Sequence, residues 1–314
     1  MNQHTKTHGA DALYRSIVNG LSQTPKYMEP RWLYDGVGAK LFEAITKLDH
    51  YYLTRTESAI LAENAPSIAG ALGEGVTIVE PGSGEALKVR PLLEALGENA
   101  SAYVPIDIAA EQLRAVEEEM SALYPKLKVE GVAADFFAPF AMPRVDNGVV
   151  FFPGSTIGNM RPADGVAFLT RICDKSGATR VLIGYDLVKD RPTMVEAYDD
   201  PAGITAAFKK NILQRLNREL GADFDVRAFR HTARFNEETL AIEMRLQAMG
   251  TQTVTIGAHT FTFEDGEYIH TEDSRKYTLE TFAAFAAGAG LSPVRTWSDP
   301  DDYFAVTLLE RTTG

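Results

Sequence analysis

Five short stretches of this 314-residue chain carry polar residues in patterns that suit a ligand. TIVEPGSGEA sets Glu80, Gly82, Ser83 and Gly84 directly after an apolar run. Glycines let the backbone approach a ligand, and a turn leading into a helix presents N–H groups with no partner of their own. SAYVPIDI ends in Asp107, where a carboxylate can accept from both hydroxyls of a ribose. GVAADFF places the acceptor Asp135 beside the ring of Phe136, a pair suited to the amino group and face of adenine. PGSTIGN offers the amide of Asn159. In IHTEDSRKY, Glu272 and Ser274 face the same way on an extended segment while Asp273 faces the other, so a carboxylate and a hydroxyl can grip a small two-nitrogen ring. Each stretch alone also reads as an ordinary turn, a buried Phe beside a loop-capping Asp, or a solvated edge. Together, the first three point to adenosine.

The elements that must position these residues follow from periodicity. From residue 76, apolar runs alternate with helical patterns: VTIVEPG, SAYVPIDI, KVEGVAADF, NGVVFFPGST and TRVLIGYDLV are strands separated by helices. That rhythm predicts a parallel sheet covered on both faces, with ligands at the carboxyl ends of its strands. After Val188 it breaks. Phe208, Ile212, Leu213, Leu216 and Leu220 form one helical stripe ended by Gly221, and TLAIEMRLQA then alternates with period two. A helix at LETFAAFAAGAG, capped by Thr278, and a closing hairpin of LSPVRTWSD and YFAVTLLER complete the chain. Because a closing hairpin makes the last strand antiparallel, the expected fold is α/β: a class I (Rossmann-like) methyltransferase sheet with a second, smaller α+β lobe formed by the N-terminal segment and an insertion. The expected segments are 1–55 for the first part of the lobe, 56–190 for the sheet domain, 191–278 for the inserted part and 279–314 for completion of the sheet. Thr54 and Glu57 have capping-box spacing, which predicts a helix just after Tyr51 and Tyr52.

Leu87 stands where a dinucleotide fingerprint has its third glycine, and the string ExGxGxA from Glu80 to Ala86 fits the methyltransferase form better than a nicotinamide dehydrogenase. The cofactor expected is S-adenosylmethionine. The formal net charge of −12 argues against nucleic acid and anionic membrane surfaces as partners. No apolar run approaches the ~20 residues of a membrane span and the N-terminus has no signal-type core, so a cytoplasmic protein, monomeric, is expected. The single cysteine, Cys173, falls on an apolar helix face with Phe168, Leu169 and Ile172 and reads as a core thiol; the six histidines show no metal-binding spacing.

Over nearly its whole length the sequence resembles the L-histidine Nα-methyltransferases of ergothioneine biosynthesis. The resemblance rests on WLYDGVGAKLFEAITKLDHYYLTRTE, EPGSGEALKVR, PIDI, ADFF, GSTIGN, YDLVKD, AYDDPAGITAAFKKNIL, NRELGADFD, IEMRLQA and TEDSRKY. It implies trimethylation of the α-amine of L-histidine, through its mono- and dimethylated forms, to hercynine, with the smaller α+β lobe as a substrate-binding lobe. It also implies a cofactor site of Glu80, Gly82, Lys88, Asp107, Asp135 and Phe136, to which the turn adds Ser83 and Gly84. Asn159 and Tyr198 match residues that hold the substrate's carboxylate and amino group, with Gly154 close by. Tyr51, Met244, Glu272 and Ser274 match the side-chain pocket, and Tyr34 and Phe42 match aromatics near the accepting nitrogen. Tyr34, Tyr51 and Asn159 are the catalytic candidates. The sequence departs from related ones at Pro81, which removes an N–H at the cofactor turn, and at Leu53. Readings left open are a same-fold methyltransferase of another amino acid or small amine, and a catalytically silent S-adenosylmethionine-binding module.

Overall fold

The computed structural model describes residues 3–136 and 140–312. Along the chain the elements run α1 (Gln3–Leu21), β1 (Lys26–Tyr27), α2 (Gly36–Thr46), α3 (Tyr52–Leu72), β2 (Val76–Pro81), α4 (Arg90–Leu96), β3 (Ala100–Asp107), α5 (Ala110–Leu123), β4 (Lys128–Val129), β5 (Val132–Ala133), β6 (Gly148–Phe152), α6 (Pro162–Ser176), β7 (Arg180–Asp186), α7 (Arg191–Glu196), α8 (Ile204–Leu220), β8 (Phe229–Asn236), β9 (Ala241–Ala248), β10 (Gln252–Ile256), β11 (His259–Phe263), β12 (Tyr268–Arg275), α9 (Leu279–Gly288), β13 (Leu291–Ser298) and β14 (Phe304–Arg311). They form two compact units, one of Met1–Tyr52 with Lys189–Arg275, the other of Leu53–Val188 with Lys276–Gly314. No helix among the described residues is long and apolar enough to cross a membrane.

The Leu53–Val188 and Lys276–Gly314 unit is built on a sheet of order β13-β14-β7-β6-β2-β3-β4, with β5 also paired to β3. β2 runs parallel to β3 and β6, and β6 parallel to β7, whereas β14 is antiparallel to both its neighbours. This is the class I order, with the chain reversing direction across the sheet at β2, where the ligand crevice opens. Strands covered on both faces need apolar side chains on both, and every residue of β2 and β6 is buried. Over one face lies α6, which buries Phe168, Leu169, Ile172 and Cys173. Burial pushes the Cys173 thiol up to about 11, as suits a core residue. Thr278 does cap α9: its hydroxyl accepts from the Thr281 N–H at 3.1 Å.

Two local expectations are corrected. The helix expected after Tyr52 already contains it, and the buried Glu57 side chain takes Gly154 N–H and Lys88 as its partners instead of a backbone group at the helix start. Leu53, Ile60, Leu61 and Ile68 are buried on the same helix, so Glu57 occupies a position on its inward stripe. After the glycine turn no helix begins until Arg90.

The other unit pairs its strands as β1-β12-β9-β8, with β10 and β11 as a separate hairpin. The period-two reading of β9 places Ile242, Met244 and Leu246 inward, and all three are buried. Against the sheet, α8 buries Phe208, Ile212, Leu213 and Leu216 and ends on Gly221 in the left-handed conformation. The inserted segment ends at Arg275, short of residue 278: Lys276 pairs with Asp186 of β7 at 2.6 Å, both fully buried, and the Tyr277 N–H donates to the Asp186 carbonyl at 2.9 Å.

Candidate functional site

Adjacent strand ends gather the first set of residues. Glu80, next to last in β2, is buried, and the hydroxyl of Tyr103 on β3 donates to it at 2.5 Å. Burial raises its carboxyl to about 8 against the opposing effects of that hydrogen bond and of Lys88. Gly82 follows with φ of +72°, and a Cβ there would lie 3.1 Å from the Phe136 ring, so both conformation and space demand glycine. The turn does not offer a row of open N–H groups as expected. Gly82 and Ser83 donate to the Ile106 carbonyl at 2.7 and 3.3 Å, and Ala86 to the Ser83 carbonyl at 2.8 Å. Gly84 donates to the Asp107 carboxylate at 3.2 Å, whose other oxygen accepts from Ala109 N–H at 2.9 Å. With the N–H groups of Gly82, Ser83, Gly84 and Ala86 committed and no helix start directly behind it, the turn is poorly suited to a pyrophosphate.

Asp135 lies just past β5, half-buried, and Phe136 meets Phe152 edge-on with centroids 6.2 Å apart. Beyond β6, Gly154 is held by Glu57 of α3, whose two oxygens accept from its N–H at 2.8 and 2.9 Å. Glu57 also takes the Lys88 ammonium at 2.5 Å. Gly184 on β7 makes room for it: a Cβ there would sit 1.9 Å from Glu57 Oε1. One buried carboxylate thus ties the segment after β2, through Lys88, to the β6 loop. Its signal in the sequence was a Glu on an apolar helix stripe. Asn159 ends a short 3-10 turn, Thr156–Asn159, in that loop.

The second set lies in the other unit. β12 and β9 pair in regular register up to His270↔Arg245 and resume at Glu272↔Met244, so Thr271 is an extra residue, a β-bulge. Its hydroxyl donates to the Met244 carbonyl at 3.0 Å. The bulge reverses the alternation. Ile269 is inward before it, and Glu272 and Ser274 are inward after it, leaving Asp273 half-exposed beside His270. Unbulged pairing would have set Glu272 opposite Glu243 instead of Met244.

Around this face stand the residues of the expected side-chain pocket. The Tyr198 hydroxyl is 2.7 Å from Ser274 Oγ. Rings chain from Tyr34 to Phe42 at 5.5 Å, Phe42 to Tyr51 at 6.3 Å and Tyr51 to Tyr198 at 5.9 Å, mostly edge-on. Tyr34 precedes Asp35, which caps α2 through Gly38 N–H at 2.8 Å and accepts from Asn211 at 2.7 Å and from Arg218 at 2.6 Å. Tyr34 as a residue is 42% exposed, but desolvation of its hydroxyl, then the nearby Glu272, Tyr51 and Tyr198, hold that hydroxyl well above the usual phenol range. His231 of β8 meets the Tyr198 carbonyl with Nε2 at 2.7 Å, and burial lowers it to about 4, so the ring is neutral. Lys209 of α8, which no sequence motif singles out, donates to Glu272 Oε2. The structure therefore divides the expected substrate residues: Gly154 and Asn159 belong to the sheet unit, while Tyr34, Phe42, Tyr51, Tyr198, Met244, Glu272 and Ser274 belong to the other.

A family model described as histidine-specific methyltransferase, SAM-dependent, matches residues 13–311. The chain belongs to that family. The histidine N-alpha-methyltransferase of Mycolicibacterium smegmatis is 42% identical over 308 residues, 96% of each chain. That of Mycobacterium tuberculosis is 42% identical over 306 residues, 95% of this chain and 94% of the other. Ergothioneine biosynthesis protein 1 of Neurospora crassa is 29% identical over 289 residues, covering 89% of this chain and 32% of that protein. The cofactor of this histidine-specific methyltransferase is S-adenosylmethionine, and the residues present fit it. The cradle that a Cβ on Gly82 would fill, the carboxylates of Asp107 and Asp135 at successive strand ends and the ring of Phe136 suit an adenosine, and buried Glu80 suits a cationic group.

Proposed function

We propose that this enzyme transfers methyl groups from S-adenosylmethionine to the α-amine of L-histidine, three times in succession, yielding hercynine for ergothioneine biosynthesis. The carrying observation is the pair Glu272 and Ser274, turned to one buried face by the Thr271 bulge. A carboxylate that accepts and a hydroxyl that donates match the N–H and the bare nitrogen of a neutral imidazole. A ligand without those groups would leave both unpaired in a buried site, which is costly. Met244, directly across from Glu272, supplies an apolar wall.

When bound, the cofactor supplies an electrophilic methyl on a cationic sulfonium. The protein's share is positioning. Tyr198 and Asn159 hold the carboxylate and amino group of the substrate, and Tyr51 or Asn159 orients the lone pair of the amine. The α-amine of a free amino acid is more basic than the peptide α-amino group, whose pKa is about 8, so near neutral pH the reactive form is reached by loss of a proton to solvent rather than to a strong base in the site. Each added methyl increases bulk, and the last fixes a positive charge. The rings of Tyr34 and Phe42, 5.5 Å apart, accommodate that cation, with a cation–π attraction on the order of 1 kcal/mol.

Incubation with S-adenosylmethionine and each common amino acid, read by mass spectrometry, tests the reading. Trimethylated histidine is expected. Methylation of another amino acid in preference to histidine would overturn it.

A further inference from the structure

Lys209 lies on the inward stripe of α8 beside Phe208 and Ile212, where an aliphatic side chain would pack without cost. Its side chain is 1% exposed, and that of its partner Glu272 is 6% exposed. A buried lysine is tolerated only when paired, and a buried pair is seldom retained for stability alone. Burial lowers the Lys209 ammonium from its ordinary range, and Glu272 opposes that shift. Tyr34, from the segment before α2, lies within electrostatic range of Glu272 and also of Tyr51 and Tyr198, and the Tyr198 hydroxyl meets Ser274 on the strand that carries Glu272. His231 of β8, neutral, is a further titratable ring that feels the Lys209 ammonium, and Asp200 and Lys210 also act on that ring.

We propose that Lys209 is a positioning and specificity residue for this reaction: by balancing and orienting Glu272, it makes the site bind neutral imidazole and reject imidazolium. The inference rests on the reading of Glu272 and Ser274 as imidazole ligands. Without a cation beside it, a buried carboxylate lowers its energy in one of two ways. It takes a proton and presents a donor in place of a charged acceptor, or it draws in a positive ligand. Lys209 forecloses both. The charge on Glu272 is balanced before substrate arrives, and the ammonium fixes Oε2, which sets the plane in which the carboxylate meets a ring. An imidazolium would add a second positive charge to the same carboxylate. It would also have no bare nitrogen to accept from Ser274. A neutral imidazole meets both demands in one tautomer, with the Tyr198 hydroxyl donating in turn to Ser274.

The test is the histidine KM at pH 6, 7 and 8, relative to wild type, for Lys209→Met, Lys209→Arg, Glu272→Gln and the double variant Lys209→Met/Glu272→Gln. Cofactor affinity and thermal unfolding report integrity of the fold. The histidine side chain titrates at about pH 6.5, so the form of the ring offered changes across this range, while the α-amine affects every variant alike. Lys209→Met is expected to raise KM roughly 10- to 100-fold at pH 8, the size of a lost hydrogen bond to a charged group, and several-fold less at pH 6, where imidazolium replaces the missing cation. Lys209→Arg should recover most of the loss, and the double variant should be no worse than Glu272→Gln alone. If Glu272→Gln leaves KM unchanged, the imidazole reading falls, and this proposal with it. If Glu272→Gln raises KM but Lys209→Met leaves it unchanged, or raises it by the same factor at every pH, the role of Lys209 alone is overturned. Should Lys209→Met fail to fold, a double variant that folds and shows a further KM loss beyond Glu272→Gln overturns the proposal equally.

Discussion

Two buried carboxylates, one in each unit, are held in opposite ways. Glu80 at the end of β2 has a tyrosine hydroxyl for its closest partner, and the nearest lysine, Lys88, is committed to Glu57. Glu272 on β12 has an ammonium in direct contact. The first is left needing positive charge and suits a ligand that brings it, as a sulfonium with its own ammonium would. The second has its positive charge built in and suits a neutral ring. The lesson concerns ligand charge: it follows less from counting carboxylates in a site than from what already balances each one.

The largest effect expected from breaking this contrast is at Glu272. Glu272→Ala should weaken histidine binding by about 100-fold, through loss of a charged hydrogen-bond acceptor, while changing cofactor affinity by no more than about twofold. Isothermal titration with each ligand separates the two. Equal loss of both would remove Glu272 from the substrate site. Stability should also fall by about 3 kcal/mol or more, since Lys209 would be left buried without its partner, and a denaturant melt of the same variant measures it.

How far each site could be read from the sequence follows from the same division. The sheet unit sets its residues at the ends of successive strands, so Glu80, Asp107, Asp135 and Asn159 were visible as soon as the strands were. The other unit assembles its face from residues far apart in the chain, and only Glu272 and Ser274 are local to each other. Their shared direction was legible. What turned that face inward was not: the Thr271 bulge depends on which strand β12 pairs with, and no glycine announces it. Lys209 was hidden because a lysine on a helix stripe ordinarily reads as a solvated flank. Glu57 was misread because TRTE satisfies a capping pattern, whereas the helix had already begun at Tyr52.

Next in size is the pH dependence of cofactor binding, which sharpens the Glu80 side of the comparison. Its folded-state carboxyl is raised to about 8, so the stability it contributes is fully present below the ordinary glutamate value and is lost as pH rises toward 8. A cationic ligand selects the ionised form. Cofactor affinity should therefore strengthen as pH rises from 6 to 8, by up to about 50-fold, with release of a proton on binding. Calorimetry in buffers of different ionisation enthalpy detects that proton. In Glu80→Gln the slope should vanish; a slope that survives would assign the proton to another group.

A smaller loss is expected at Glu57. Glu57→Gln keeps an acceptor for the Gly154 N–H but removes the charge that holds Lys88, whose side chain is 25% exposed and can turn to water. Partial exposure limits the stability cost to about 1–2 kcal/mol, and kcat/KM should drop roughly tenfold as the turn and the β6 loop lose their common anchor. A variant with wild-type kinetics would reduce Glu57 to a packing residue.

The smallest effect is expected at Pro81, where the sequence alone suggested a weakened cofactor turn. β6 pairs with β2 only as far as Val79, and the Ile106 carbonyl of β3 is already served by Gly82 and Ser83. The missing N–H at Pro81 therefore interrupts neither ladder, which is how proline is tolerated at the end of a central strand. Its ring fixes φ near the value an extended strand end can use, and this lowers the entropy of the unfolded chain. Pro81→Ala should change cofactor affinity by less than about twofold and lower stability by about 0.5 kcal/mol. A tenfold gain in affinity would show instead that an N–H at this position reaches the cofactor, and the turn would then have one more donor than its hydrogen bonds reveal.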